Sequence, residues 1–129
     1  QKNSLCQNVS PGTDAWIGIA LGTSGVGLNL VVSKNYARAE IYINKGDIQK
    51  NKEVFDYFYN LKDQIEKDFD GPLIWERMDD RVTSRVKYQL DGVSVFNEDD
   101  WTKMNDFMID AASRLHKAFK DPVQKLRSR

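Results

Sequence analysis

Tyr36-Ala37-Arg38-Ala39-Glu40-Ile41-Tyr42-Ile43, continuing through Gly46-Asp47 into a run holding Val54, Phe58, Leu61 and Ile65, is the stretch that decides the fold. In its first part apolar residues recur at every second position. Ala37, Ala39, Ile41 and Ile43 share one face, and Arg38, Glu40 and Tyr42 share the other, the pattern of a strand with one buried side. In its second part the spacing lengthens to three and four, so Val54, Phe58, Leu61 and Ile65 form one stripe of a helix, widened by Phe55. The period changes at Asp47, whose carboxylate can accept the first free amides of a helix. A half-polar strand leading into an amphipathic helix means a sheet covered on one side.

Upstream, Ile17, Ile19 and Leu21 fall on one face of a strand over 16–21. Gly22-Thr23-Ser24-Gly25 makes a turn, and Leu28, Leu30 and Val32 resume the alternation. With a second turn at Lys34-Asn35 this is a three-stranded meander. Downstream, the spacing predicts one helix over 47–69, stopped by Asp70-Gly71-Pro72 with Gly71 as the left-handed cap. Strands over 73–78 and 84–90 follow, joined by Asp79-Asp80-Arg81, with Val86, Tyr88 and Leu90 opposite Arg85, Lys87 and Gln89. Asn97 caps a second helix whose buried face is Trp101, Met104, Met108, Ala111, Leu115 and Phe119 and which Pro122 ends or interrupts. Acids at its start and bases at its end complement the helix dipole, which explains that charge asymmetry without a ligand. The order βββ-α-ββ-α, with hairpin-length links, gives an α+β fold: an antiparallel sheet of about five strands with two long helices packed on one face.

A length of 129 residues suits a single domain over 1–129. Residues 1–14 read as a flexible lead-in, and Gln1 in place of Met suggests a fragment or the C-terminal module of a longer chain. No apolar run approaches the ~20 residues of a membrane span, and a lone cysteine, Cys6, allows no internal disulfide. Both fit a cytoplasmic setting. Net charge is zero, which disfavours binding to nucleic acid or membrane by bulk electrostatics.

Gly22 to Gly27 resembles a phosphate loop only superficially, because it lacks the Gly-Lys-Ser/Thr ending and leads into a strand. One Cys and one His cannot build a zinc site, so no metal or cofactor is expected, and His116 reads as a surface or boundary residue of its helix rather than a general base. Glu76, Asp79 and Asp80 could hold a divalent metal for phosphodiester cleavage. They fall outside the restriction-nuclease pattern and read more simply as a charged turn. The stronger candidate is the polar sheet face. Arg38, Glu40 and Tyr42 share it with Arg85, Lys87 and Gln89, and the fourth strand adds either Trp75 and Arg77 or Glu76, according to register. Arg38, Tyr42, Trp75, Arg77, Arg85 and Lys87 are the predicted contacts, and an exposed Trp75 would call for a cover.

Several segments resemble a known family. They are Asn8-Val9-Ser10-Pro11 with Asp14-Ala15-Trp16-Ile17-Gly18, Ser24-Gly25 leading to Leu28-Asn29-Leu30-Val31-Val32, and Tyr36 to Ile43. Trp75-Glu76-Arg77-Met78-Asp79-Asp80, Tyr88-Gln89-Leu90-Asp91-Gly92 and Asp99-Asp100-Trp101 continue the match in order. Together they resemble the prokaryotic family called domain of unknown function 4268. The resemblance implies a module often C-terminal to nuclease-like or restriction-associated regions, with no catalytic residues to carry over. The expected function is thus a non-catalytic accessory module for nucleic-acid engagement or protein docking in a restriction or defence-type protein. A homodimerising structural domain, with the Trp75 face buried against a copy of itself, and a metal-dependent nuclease using Glu76, Asp79 and Asp80 are the alternatives.

Overall fold

The period-two stretches all become strands of one sheet in the computed structural model, which describes residues 15–128. The expectation of a flexible lead-in over 1–14 lies outside the described residues. Strands β1 (Ala15–Thr23), β2 (Val26–Val32) and β3 (Tyr36–Ile43) form the expected meander, followed by helices α1 (Ile48–Tyr59) and α2 (Lys62–Phe69). Strands β4 (Ile74–Glu76) and β5 (Ser84–Asp91) come next, and a short 3-10 turn at Glu98–Asp100 leads into α3 (Trp101–Arg127). Every strand pair is antiparallel and the spatial order is β1-β2-β3-β5-β4. The excursion through α1 and α2 thus carries β4 out to the edge, and β5 returns to fill the gap beside β3.

The register fixes which side is which. Val26, Leu28 and Val32 on β2, Ala37 to Ile43 at odd numbers on β3, and Val86 on β5 are buried on the helix side. Phe58, Ile65, Phe69, Leu115 and Phe119 close the same core from above. A smaller cluster of Val32, Ala37, Val93, Val95, Met104 and Met108 fills the other end.

Three local expectations need correction. The helix predicted over 47–69 is two helices. Leu61 N–H bonds Phe58 C=O, a tightened turn at Asn60-Leu61, and Asn is a weak helix former. The break lets α1 rest on β3 and β5 while α2 lies along α3. Asp70, not Gly71, takes the left-handed cap, with φ 68°. An Asp tolerates that conformation, and its carbonyl accepts from Arg114 Nη2 at 3.0 Å. Pro122 neither ends nor breaks α3, which runs on to Arg127. Pro122 and Val123 are both buried, and that packing offsets the hydrogen bond the proline cannot make. Asp47 caps α1 as expected, accepting from Gln49 N–H at 2.9 Å. Asn97 accepts from Asp99 N–H at 3.1 Å but caps the 3-10 turn that leads into α3, not α3 itself, whose N-cap position is Asp100.

Candidate functional site

The sheet face without helices carries the side chains that alternation sends away from the core. On β3 and β5 the cross-strand pairs are Arg38 with Gln89, Glu40 with Lys87 and Tyr42 with Arg85. Asn29 and Val31 precede them on β2, and Trp16 stands at the β1 end of the row through Val31 and Arg38. β4 contributes Glu76, which is paired with Arg85.

These charges form a connected lattice. Arg38 Nε lies 2.8 Å from Glu40 Oε1 and Arg85 Nη1 3.6 Å from the same oxygen. Glu76 takes Arg85 Nε at 2.5 Å and Lys87 Nζ at 3.4 Å. The Arg38–Glu40 contact has the distance of an ion pair without the angle of a hydrogen bond, so both atoms count as unsatisfied donor and acceptor. Its attraction is Coulombic. Asn29 Nδ2 donates weakly to the other Glu40 oxygen at 3.4 Å, and the Arg38 guanidinium sits 4.9 Å from the centre of the Tyr36 ring. Glu40 is only 4% exposed, unusual for a glutamate on the side of the sheet away from the described helices. Burial by itself would raise the Glu76 carboxyl, but the hydrogen bond from Arg85 and the charges of Arg85 and Lys87 outweigh it and hold its pKa below the usual value.

Of the predicted contacts, Arg38, Tyr42, Arg85 and Lys87 are brought together here. Trp75 and Arg77 are not. Trp75 is the cross-strand partner of Val86 and so faces the helices. Its ring packs edge-on against Phe55 and Tyr59, and its indole N–H donates to Glu66 Oε2 at 3.1 Å. Arg77, just past β4, reaches back to α1 and forms a two-pronged pair with Asp56 at 2.9 and 3.0 Å. The bond from Arg77 holds the Asp56 carboxyl below its ordinary pKa. The exposed tryptophan is Trp16, 65% accessible on the edge strand. Alternation placed it opposite Ile17, but nothing in the sequence marked β1 as an edge.

The loop 77–83 is set by two residues that the sequence reading passed over. Lys52, 8% exposed on α1, donates to the carbonyls of Arg77, Met78 and Thr83 at 2.6, 2.8 and 2.7 Å, and lies 2.9 Å from Ser84 Oγ. Burial lowers its pKa, while the ring of oxygens favours the ammonium. Asn51 beside it accepts from Lys45 N–H at 2.6 Å and donates to Val82 C=O at 2.8 Å. Two polar residues inside an apolar stripe at the start of α1 were the available signal.

The described residues hold little that points to chemistry. Asp79 is bound by Arg77 and Glu76 by Arg85 and Lys87, so two of the three carboxylates of the nuclease alternative, all but Asp80, are committed to cations. No group of three His, Cys, Asp or Glu among the described residues is placed to hold a metal ion. His116 is exposed on α3. A groove of about 590 Å³ beside α1 is lined by both signs of charge, including Lys45, Lys50, Glu53 and Asp56. No helix among the described residues is long and apolar enough to cross a membrane.

Among the described residues, the fold and this face define an α+β domain whose helices lie on one side of the sheet and whose other side is charge-paired. The chain belongs to the family described as domain of unknown function (DUF4268), whose model matches residues 1–123. No curated protein and no solved structure gives a significant match.

Proposed function

We propose that the domain is a non-catalytic docking module that holds a protein partner on the open face of its sheet. The observation that carries this reading is the lattice of Arg38, Glu40, Glu76, Arg85 and Lys87, long side chains tied together on a face that no described helix covers. The rotamer entropy of ordering them is already spent before a partner arrives, and a preorganised surface binds with less ordering left to do. Arg and aromatic side chains are enriched at interfaces, and Arg38, Tyr36, Tyr42 and Trp16 stand on this side of the sheet. A nuclease-like region of a restriction or defence-type system is the proposed partner, on the strength of the family resemblance.

Nucleic acid is the second reading, favoured by three cations and Tyr42 on one face. Phosphate binding draws on cations free to displace counterions, and here the three share two carboxylates. Co-expression with a nuclease-like region of the kind found beside such domains tests the first reading. Wild type is expected to co-purify, and Tyr42→Ala and the Arg85→Ala/Lys87→Ala double variant to lose the partner while keeping their circular dichroism. Retention by both variants would remove the face from consideration. Salt-sensitive binding of labelled single- or double-stranded DNA, lost in the double variant, would move the function to nucleic acid.

A further inference from the structure

We infer that β1 pairs antiparallel with β1 of a second copy of this chain, centred on Gly18, to join two sheets into one of ten strands. The inference is independent of the docking face and rests on the edge itself. β1 is the outer strand of the sheet, with β2 on one side and no described strand on the other. It is nine residues long, contains no Pro and no charged residue, and is exposed at every position from Trp16 to Ala20. Natural sheets usually blunt such an edge with Lys, Pro, a β-bulge, a short strand or a cover. β1 has its irregularity at the far end, between Ala20 and Thr23, and uses none of these over 16–20.

The sequence of the strand selects a second copy as the occupant. A two-fold pairing sets each residue against a residue of the same strand, which like charges would oppose. β1 has none. Centred on Gly18, the register places Trp16 opposite Ala20, Ala15 opposite Leu21 and Ile17 opposite Ile19, so each large residue meets a small one or an isoleucine of equal size. The Trp16 ring already lies across its own Gly18, 3.4 Å from where a side chain there would begin. Two glycines at the centre therefore leave the space in which two indoles can lie. On the helix side, Ile17 and Ile19 are 51% and 38% exposed although they face the same way as buried Leu28. A second copy along β1 covers these isoleucines and adds side-chain burial to the strand hydrogen bonds, as a stable isologous interface requires.

Sedimentation of the whole chain, up to about 100 µM, tests this. Wild type is expected at twice the chain mass and Ile17→Lys at the chain mass, with the two showing the same circular dichroism. A wild type that stays monomeric overturns the inference and leaves the edge to another occupant. A dimer that survives Ile17→Lys overturns it too, since the contact then lies elsewhere. The register has its own test in a Cys6→Ser background. A mixture of Ile17→Cys and Ile19→Cys chains is expected to form a disulfide-linked pair under mild oxidation, several-fold faster than either variant alone. Equal rates in all three samples would refute pairing centred on Gly18.

Discussion

The two edges of this one sheet are built in opposite ways. β4 is three residues long and is followed by a loop that α1 fastens through Lys52 and Asn51. On its helix side Trp75 is fitted among Phe55, Tyr59 and Phe119, and on its open side Glu76 is paired with two cations. β1 is three times that length, uncharged and exposed over its middle. A short edge whose flanking carbonyls are taken offers an approaching strand little to pair with, and a long bare one offers a template. The difference teaches that this fold closes one edge by side-chain hydrogen bonds and leaves the other in a state suited to pairing.

The largest effect is expected from opening the closed edge. Lys52→Met removes the donor that three carbonyls and Ser84 share; Thr83 C=O loses its partner, while the Arg77 and Met78 carbonyls keep Ser84 Oγ–H and Arg81 N–H. A loss of about 3 kcal/mol in urea unfolding is expected. A loss under about 1 kcal/mol would mean that water replaces the ammonium and that the loop does not depend on it. Trp75→Phe keeps most of the ring packing but deletes the bond to Glu66, for an expected loss of about 1 kcal/mol by the same measurement.

Glu76→Gln acts on the open side of β4 and sharpens the comparison through pH. The folded-state pKa of Glu76 lies below its unfolded value, near 4.3. Its stabilising contribution is therefore complete above that unfolded value and is lost as pH falls through the folded pKa. Asp56, lowered by Arg77, follows the same course from an unfolded value near 3.9. Stability of wild type is expected to decline below about pH 4.5, and Glu76→Gln to decline less steeply, as read from thermal melts. Equal slopes would show that the Arg85 and Lys87 contacts contribute nothing to the edge. The smallest effect on the stability of the single chain belongs to the bare edge: Ile17→Lys is expected to change unfolding free energy by no more than about 0.5 kcal/mol when both proteins are compared at concentrations dilute enough to be monomeric.

Elements whose apolar positions repeat were legible before any coordinates. The meander, the polar face of each of the strands β3 and β5, the capping residues Asp47 and Asn97, and the buried stripe of α3 all follow from local spacing. Four of the six predicted contacts came out on one face because alternation on β3 and β5 is unambiguous. Trp75 and Arg77 did not, because three residues of β4 cannot show a period and a one-residue slip exchanges Trp75 with Glu76.

Local pattern fixed the identity of the strands and helices, their caps and which residues of each long strand share a side, since those depend on near neighbours along the chain. Tertiary structure decided the order of strands, the break at Asn60-Leu61, the passage of α3 through Pro122, the buried Lys52 and the contrast between the edges. Each of these depends on which distant segment stands alongside. A carbonyl meets Lys52 only once α1 lies over the loop after β4, and β1 is an edge only because β5 fills the far side of β3.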